Sequence, residues 1–224
     1  MAEHPVNPEV PATPAPWHLT GDGFILVYWL SKTFILKNGF IPASLVDSFR
    51  GGPSAVMLMN YRMSAIGPYQ ELLFIPGRFI YQGQSFSSIT RIYVSTWESV
   101  VNGRNNWAIP KKLANFTWYT DAWGVEHIHG AQNNRQFSTF LLKAVGPTLP
   151  VTSAFIPPNW RTLLQPDHKI LFTKPYGKGK VKIAKCLNIN IDADFFPDLS
   201  QRRLLGVCKV TDFEVTFPVA STSL

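Results

Sequence analysis

Apolar and polar side chains alternate over long stretches of this chain. Val181, Ile183, Leu187, Ile189 and Ile191 are separated by polar neighbours, and Phe213, Val215 and Phe217 repeat the pattern. A period of two is what a strand with one buried face requires. Residues 24–30 form a short apolar, aromatic run between Gly23 and Lys32, and residues 54–61 and 71–75 read as further strands separated by the Gly67-Pro68 break. Gly77 and Gly83 bracket another, and residues 116–119, 125–129, 137–145 and 170–173 have strand composition. Two segments read as helices. Residues 42–49 space their apolar positions three or four apart and stop at Gly51-Gly52. Ser95-Thr96-Trp97-Glu98 has capping-box spacing, which predicts a helix of about two turns with Gly103 as its left-handed stop. The expectation is a mainly β protein with a few short helices.

Composition narrows the class. The chain has 224 residues, 46% hydrophobic and 16% charged, which suits one well-packed core. Residues 1–16 carry Pro5, Pro8, Pro11, Pro14 and Pro16 and few apolar side chains. They read as a flexible, Pro-rich arm, able to lie across a neighbouring subunit, ahead of a single domain over 17–224. The net charge of +7 is dispersed rather than gathered into a run, so it favours a small anionic substrate over nucleic acid. No apolar stretch approaches the roughly 20 residues of a spanning helix. With two cysteines and no secretory signal pattern, the expected location is cytoplasmic, without membrane partners.

The candidate chemistry centres on Lys111-Lys112, which follow Pro110 among Trp107, Ala108, Ile109 and Leu113. A lysine amine attacks a carbonyl only when uncharged, and its ordinary pKa near 10.4 keeps it protonated in water. Burial or a second positive charge changes that. Neighbouring strand residues point to opposite faces, so burial outranks the adjacent lysine as the cause.

The segment from Gly103 through Arg104, Asn105, Asn106, Trp107, Ala108, Ile109 and Pro110 to Lys111-Lys112-Leu113 resembles one in the acetoacetate decarboxylase family. The family reads Gly-Arg-Glu, a short variable stretch, then Pro-Lys-Lys-Leu. Gly67-Pro68-Tyr69-Gln70-Glu71 is similar to the family's Gly-x-Tyr-x-Glu segment, at a matching interval from the lysines, and 16–28 resembles its opening. The resemblance spans about the first half of the chain.

It implies an antiparallel β-barrel or cone-like fold and a homo-oligomer acting on a keto acid or ketone. It further implies that Lys111 forms the Schiff base, with Lys112 nearby and Glu71 in the active site. Arg104, Asn105, Trp107 and Tyr69 become candidates for binding substrate. The iminium itself is the electron sink, so neither a cofactor nor a metal is implied. The reaction expected is decarboxylation of a β-keto acid. Aldol, retro-aldol, dehydration or hydration chemistry on a larger carbonyl compound, and non-catalytic small-molecule binding, remain as alternatives.

Two departures stand out. The family's Gly-Arg-Glu is Gly103-Arg104-Asn105 here, and where its opening carries an arginine this chain reads Thr20-Gly21-Asp22-Gly23. Arg62, Arg78, Arg91 or Arg104 could substitute for that missing cation from another element. His127 and His129 share a strand face without the further ligands that a metal needs. Lys174, Lys178, Lys180, Lys182 and Lys185 read as a basic hairpin.

Overall fold

A computed structural model describes residues 9–156, 158–166 and 170–222. Its first half runs β1 (Trp17–Trp29), α1 (Lys32–Asn38), β2 (Phe49–Gly51), β3 (Pro53–Met63), β4 (Tyr69–Ile75), β5 (Arg78–Tyr81), β6 (Gln84–Ser87), β7 (Arg91–Val94) and α2 (Trp97–Trp107). The second half runs β8 (Lys111–Leu113), β9 (Asn115–Thr120), β10 (Glu126–Gln132), β11 (Arg135–Thr152), α3 (Pro158–Arg161), β12 (Leu163–Pro166), β13 (Ile170–Thr173), β14 (Tyr176–Ile191) and β15 (Leu204–Phe217). The mainly β expectation holds.

Ten strands form one sheet in the order β8-β7-β4-β3-β1-β15-β14-β11-β10-β9, and five form a second in the order β13-β12-β6-β5-β2. The large sheet curls into a nearly closed barrel. Its two end strands, β8 and β9, are consecutive in the chain and joined through Ala114 alone. The Gln132 side chain from β10 donates across this seam to the Leu113 carbonyl at 2.7 Å.

Alternation assigns each strand's faces. Phe24, Leu26 and Tyr28 of β1, Leu72 and Phe74 of β4, and Tyr93 of β7 enter one apolar core with Phe49, Phe79, Phe86 and Leu164 of the small sheet. The intervening residues enter a second core: Trp17, Leu19, Tyr61, Tyr69, Leu73, Ile92 and Val94, packed against Val100 and Trp107 of α2. On β15 this second face is kept in register by an irregularity at Asp212, whose φ is 48°. An extra residue there lets Val210 and then Phe213 face the same way despite their odd spacing. The candidate site lies on this face.

Several local expectations need correction. The first helix is α1, capped by the Ser31 hydroxyl, which accepts from the Phe34 amide. Residues 42–49 instead hold one 3-10 turn, Ala43–Leu45, before β2 begins. Helix α2 does not stop at Gly103 but runs a turn further, ending at Ala108 with φ 54°. Its cap is Thr96, which accepts from the Ser99 amide, while Ser95 accepts from Gln70 in β4. The lysines over 174–185 form no hairpin: most lie along β14, where Lys178 and Lys180 pair with Glu214 and Asp212 of β15.

Residues 1–8 of the proposed arm lie outside the described residues. The following stretch is tied down on its own chain. Asn102 of α2 bonds the Thr13 amide at 2.7 Å and the Pro11 carbonyl at 3.1 Å, and Asn106 bonds the Thr13 carbonyl at 2.9 Å. No helix among the described residues is long and apolar enough to cross a membrane.

Candidate active site

Three elements bring the site together. Strand β4 pairs β7 antiparallel, with Glu71 opposite Val94 and Leu73 opposite Ile92. Strand β7 pairs β8 in parallel, with Ile92 beside Lys111. Side chains at paired positions share a face, so Glu71, Leu73, Ile92 and Lys111 all point the same way. Helix α2 lies over that face. A Cβ added at Gly103 would sit 2.6 Å from Lys111 Cδ and 2.8 Å from Cε, so any larger residue there would displace the lysine from its path across the helix.

Lys111 is 3% exposed, and its amine donates to Glu71 Oε2 at 3.1 Å and Ser99 Oγ at 3.0 Å. Tyr61 donates to Glu71 Oε1 at 3.2 Å, leaving both carboxylate oxygens engaged. Lys111 Nζ also stands 5.1 Å from the Tyr69 ring centre and 6.0 Å from that of Trp17, within reach of the negative ring faces. Burial, aided by the Glu71 charge, pushes the Tyr61 and Tyr69 phenols well above their ordinary value. Both therefore stay protonated at neutral pH.

Of the site residues expected from sequence, Lys111, Glu71, Tyr69 and Trp107 line one small chamber of about 20 Å³, room for a single water. Trp107 packs edge-on to Trp17 and donates to the Pro218 carbonyl at 2.7 Å. The others fall elsewhere. Lys112 points to the opposite face, where partial burial and the charges of Arg91 and Arg104 hold it below the ordinary lysine value. Arg104 grips the Lys111 carbonyl from outside, through Nε at 2.9 Å and Nη2 at 2.5 Å. Asn105 is exposed on the outer side of α2 and lines none of the chambers described here.

None of the four substitute arginines lines these chambers. Arg62 pairs with Asp22 and Asp212, Arg78 bonds Ser85 and Ser87, and Arg91 lies over Phe40 while donating to Phe195. Ser99, Tyr61 and Gly103 take parts that sequence reasoning did not assign them. The segment following the Ser95-Thr96 cap carried the only hint of Ser99. His127 stacks on Tyr119 and bonds Asp121, and the described residues contain no cluster of three or more His, Cys, Asp or Glu that could hold a metal.

The inner chamber adjoins a larger one of about 420 Å³, with which it shares Tyr61, Glu71, Leu73, Ile89 and Phe217. The larger walls are mostly apolar, including Ile25, Met57, Met59, Val181, Val210 and Phe213. A volume of this order accommodates a small organic ligand.

With this geometry in view, the sequence matches the profile of the acetoacetate decarboxylase family over residues 4–152. The chain belongs to the acetoacetate decarboxylase family. Acetoacetate decarboxylase from Legionella pneumophila is similar in structure, with a TM-score of 0.67 at 13% identity, covering 100% of this chain and 98% of that one. An acetoacetate decarboxylase-like enzyme from Sphingomonas wittichii RW1 gives 0.68 at 10% identity, covering 95% and 94%. The enduracididine biosynthesis enzyme MppR, complexed with the condensation product of pyruvate and imidazole 4-carboxaldehyde, gives 0.63 at 13% identity, covering 93% and 89%. These likenesses show a shared fold. No curated protein matches the sequence.

Proposed function

We propose that this chain is a cofactor-independent lyase that forms an imine between Lys111 and a keto acid. One observation carries the reading: a buried lysine whose amine is hydrogen-bonded to Glu71 and Ser99, beside an apolar chamber. The amine must give up a proton before it can attack, and Glu71 Oε2, 3.1 Å away, is placed to accept it.

The amine lone pair adds to the ketone carbon, and one amine proton passes to the carbonyl oxygen to give a carbinolamine hydroxyl. Glu71 returns the proton as hydroxide departs as water, leaving an iminium. In a β-keto acid the electrons of the bond to the carboxylate then move to the iminium nitrogen, releasing carbon dioxide and an enamine. Protonation of the enamine carbon and addition of water free the product and Lys111. Tyr61 holds the far oxygen of Glu71, and Ser99 orients the amine. Lys112 and Arg104 act from the other face, Arg104 by fixing the Lys111 backbone.

Borohydride added with a β-keto acid is expected to leave a reduced adduct on the peptide containing Lys111, with none in Lys111→Arg. Absence of any adduct across a ketone panel, or an adduct on another lysine, overturns the assignment. The 420 Å³ chamber supports a second reading, the same imine used for condensation of a larger carbonyl compound. The condensation product held by MppR agrees with it. Trapping without carbon dioxide release decides for this second reading.

A further inference from the structure

Beyond the apolar chamber lies an outer vestibule of about 840 Å³, which shares Thr152, Ser153, Arg161, Tyr176, Lys178 and Glu214 with it. The vestibule's titratable lining, among the described residues, is His18, Arg161, Lys174, Lys178 and Glu214 together with the Tyr176 phenol. Its one carboxylate, Glu214, pairs with Lys178 at 3.2 Å. Arg161 differs from the other cations. Its Nη1 reaches the Pro175 carbonyl at 3.3 Å, yet its Nε is buried without a hydrogen-bond partner among the described residues. A donor without a partner on a positive group is costly, and the rest of the guanidinium faces the two chambers that Arg161 lines, where an arriving anion can offset that cost.

Arg161 lines both the vestibule and the apolar chamber but not the chamber of Lys111. We propose that Arg161 binds a carboxylate at the far end of the substrate, making the natural ligand a long keto acid with its carbonyl at Lys111. An apolar chain between the two groups fills the 420 Å³ chamber. A guanidinium suits this task because its planar fork matches a carboxylate. The carboxyl group of a β-keto acid is only two bonds from its ketone carbon. The carboxylate at Arg161 is therefore a second one, retained through the reaction whatever group leaves beside Lys111. Arg161 stands far along the sequence from Thr20-Gly21-Asp22-Gly23, where the family's opening arginine is absent.

The catalytic half of this inference rests on the imine reading of Lys111, while the anion site stands by itself. Methyl ketones bearing a terminal carboxylate on alkyl chains of increasing length, and their methyl esters, provide the test. In the unmodified protein, borohydride trapping on Lys111 is expected to need roughly tenfold less of the best acid than of its ester. Arg161→Gln should remove that preference while still trapping the ester, and Arg161→Lys should restore part of it. Equal trapping of acids and esters, or a preference that survives Arg161→Gln, overturns the proposal. If no ketone is trapped at all, the Lys111 reading has failed. Calorimetric binding of a saturated alkanoate then judges the anion site alone: weaker binding in Arg161→Gln supports it, and unchanged or absent binding refutes it.

Discussion

The pairing of Lys111 with Glu71 exposes each residue to the loss of the other. With Lys111→Met, Glu71 is left at 4% exposure with, among the described residues, only Tyr61 donating to its carboxylate. Breaking a buried pair from one side typically costs about 3–5 kcal/mol, whereas replacing both charges is far milder. Lys111→Met is therefore expected to lose about 3 kcal/mol of stability in urea unfolding, and the added Glu71→Gln to recover most of it. A double variant no more stable than the single one would show that the pair is not the source. At this scale sequence reasoning reached Lys111 and Glu71 because each sits inside a recognisable segment. Tyr61 and Ser99 were hidden, because their partners depend on strand register and helix rotation that no local pattern states. Arg161 was hidden more deeply, since its distinction is an unsatisfied Nε and not a motif.

Among the elements, α2 shows how one glycine has two opposed effects. Gly103 weakens the helix interior by about 1 kcal/mol relative to alanine, yet it opens the groove through which Lys111 passes. Gly103→Ala should leave the melting temperature nearly unchanged, because the gain in helix propensity offsets the displaced lysine. Imine trapping, in contrast, should fall at least tenfold, since Nζ is moved off Glu71 and Ser99. A variant that traps as well as the parent would separate the glycine from the site. The predicted end of α2 at Gly103 erred for the same reason: a glycine near a helix end resembles a stop, and only the strand packed beneath reveals the space it provides. The long strands were legible because alternation is a property of the chain alone. Helix α1 was not, since seven residues, about two turns with Ile35 alone buried, leave almost no periodic signal.

Across the whole molecule, burial governs the response to alkali. Tyr28, Tyr61, Tyr69 and Tyr93 are all held above the ordinary phenol value, chiefly by desolvation. A raised folded-state pKa contributes stability that is complete below the unfolded value near 10 and declines as pH rises past it. Cooperative alkaline unfolding is expected, with phenolate absorbance from these four appearing together with the loss of near-ultraviolet circular dichroism. Ionisation of any of them well before that loss would contradict the enclosed arrangement. The barrel's strand composition could be read from sequence; the closure of its ends through Ala114 could not, because the order of strands in a sheet leaves no trace in their composition.

That closure carries a temporal consequence. Glu71, Ser99 and Lys111 are all in place once α2 and β8 have formed, yet Phe213 and Phe217, which complete the chamber walls, belong to β15. During synthesis Lys111 would emerge from the ribosome roughly a hundred residues before these walls, at about 5–20 residues per second. For those seconds its chamber stands open on one side. Enclosure is complete only when β15 slides in beside β1, so the strand made last seals a cluster of side chains assembled well before it.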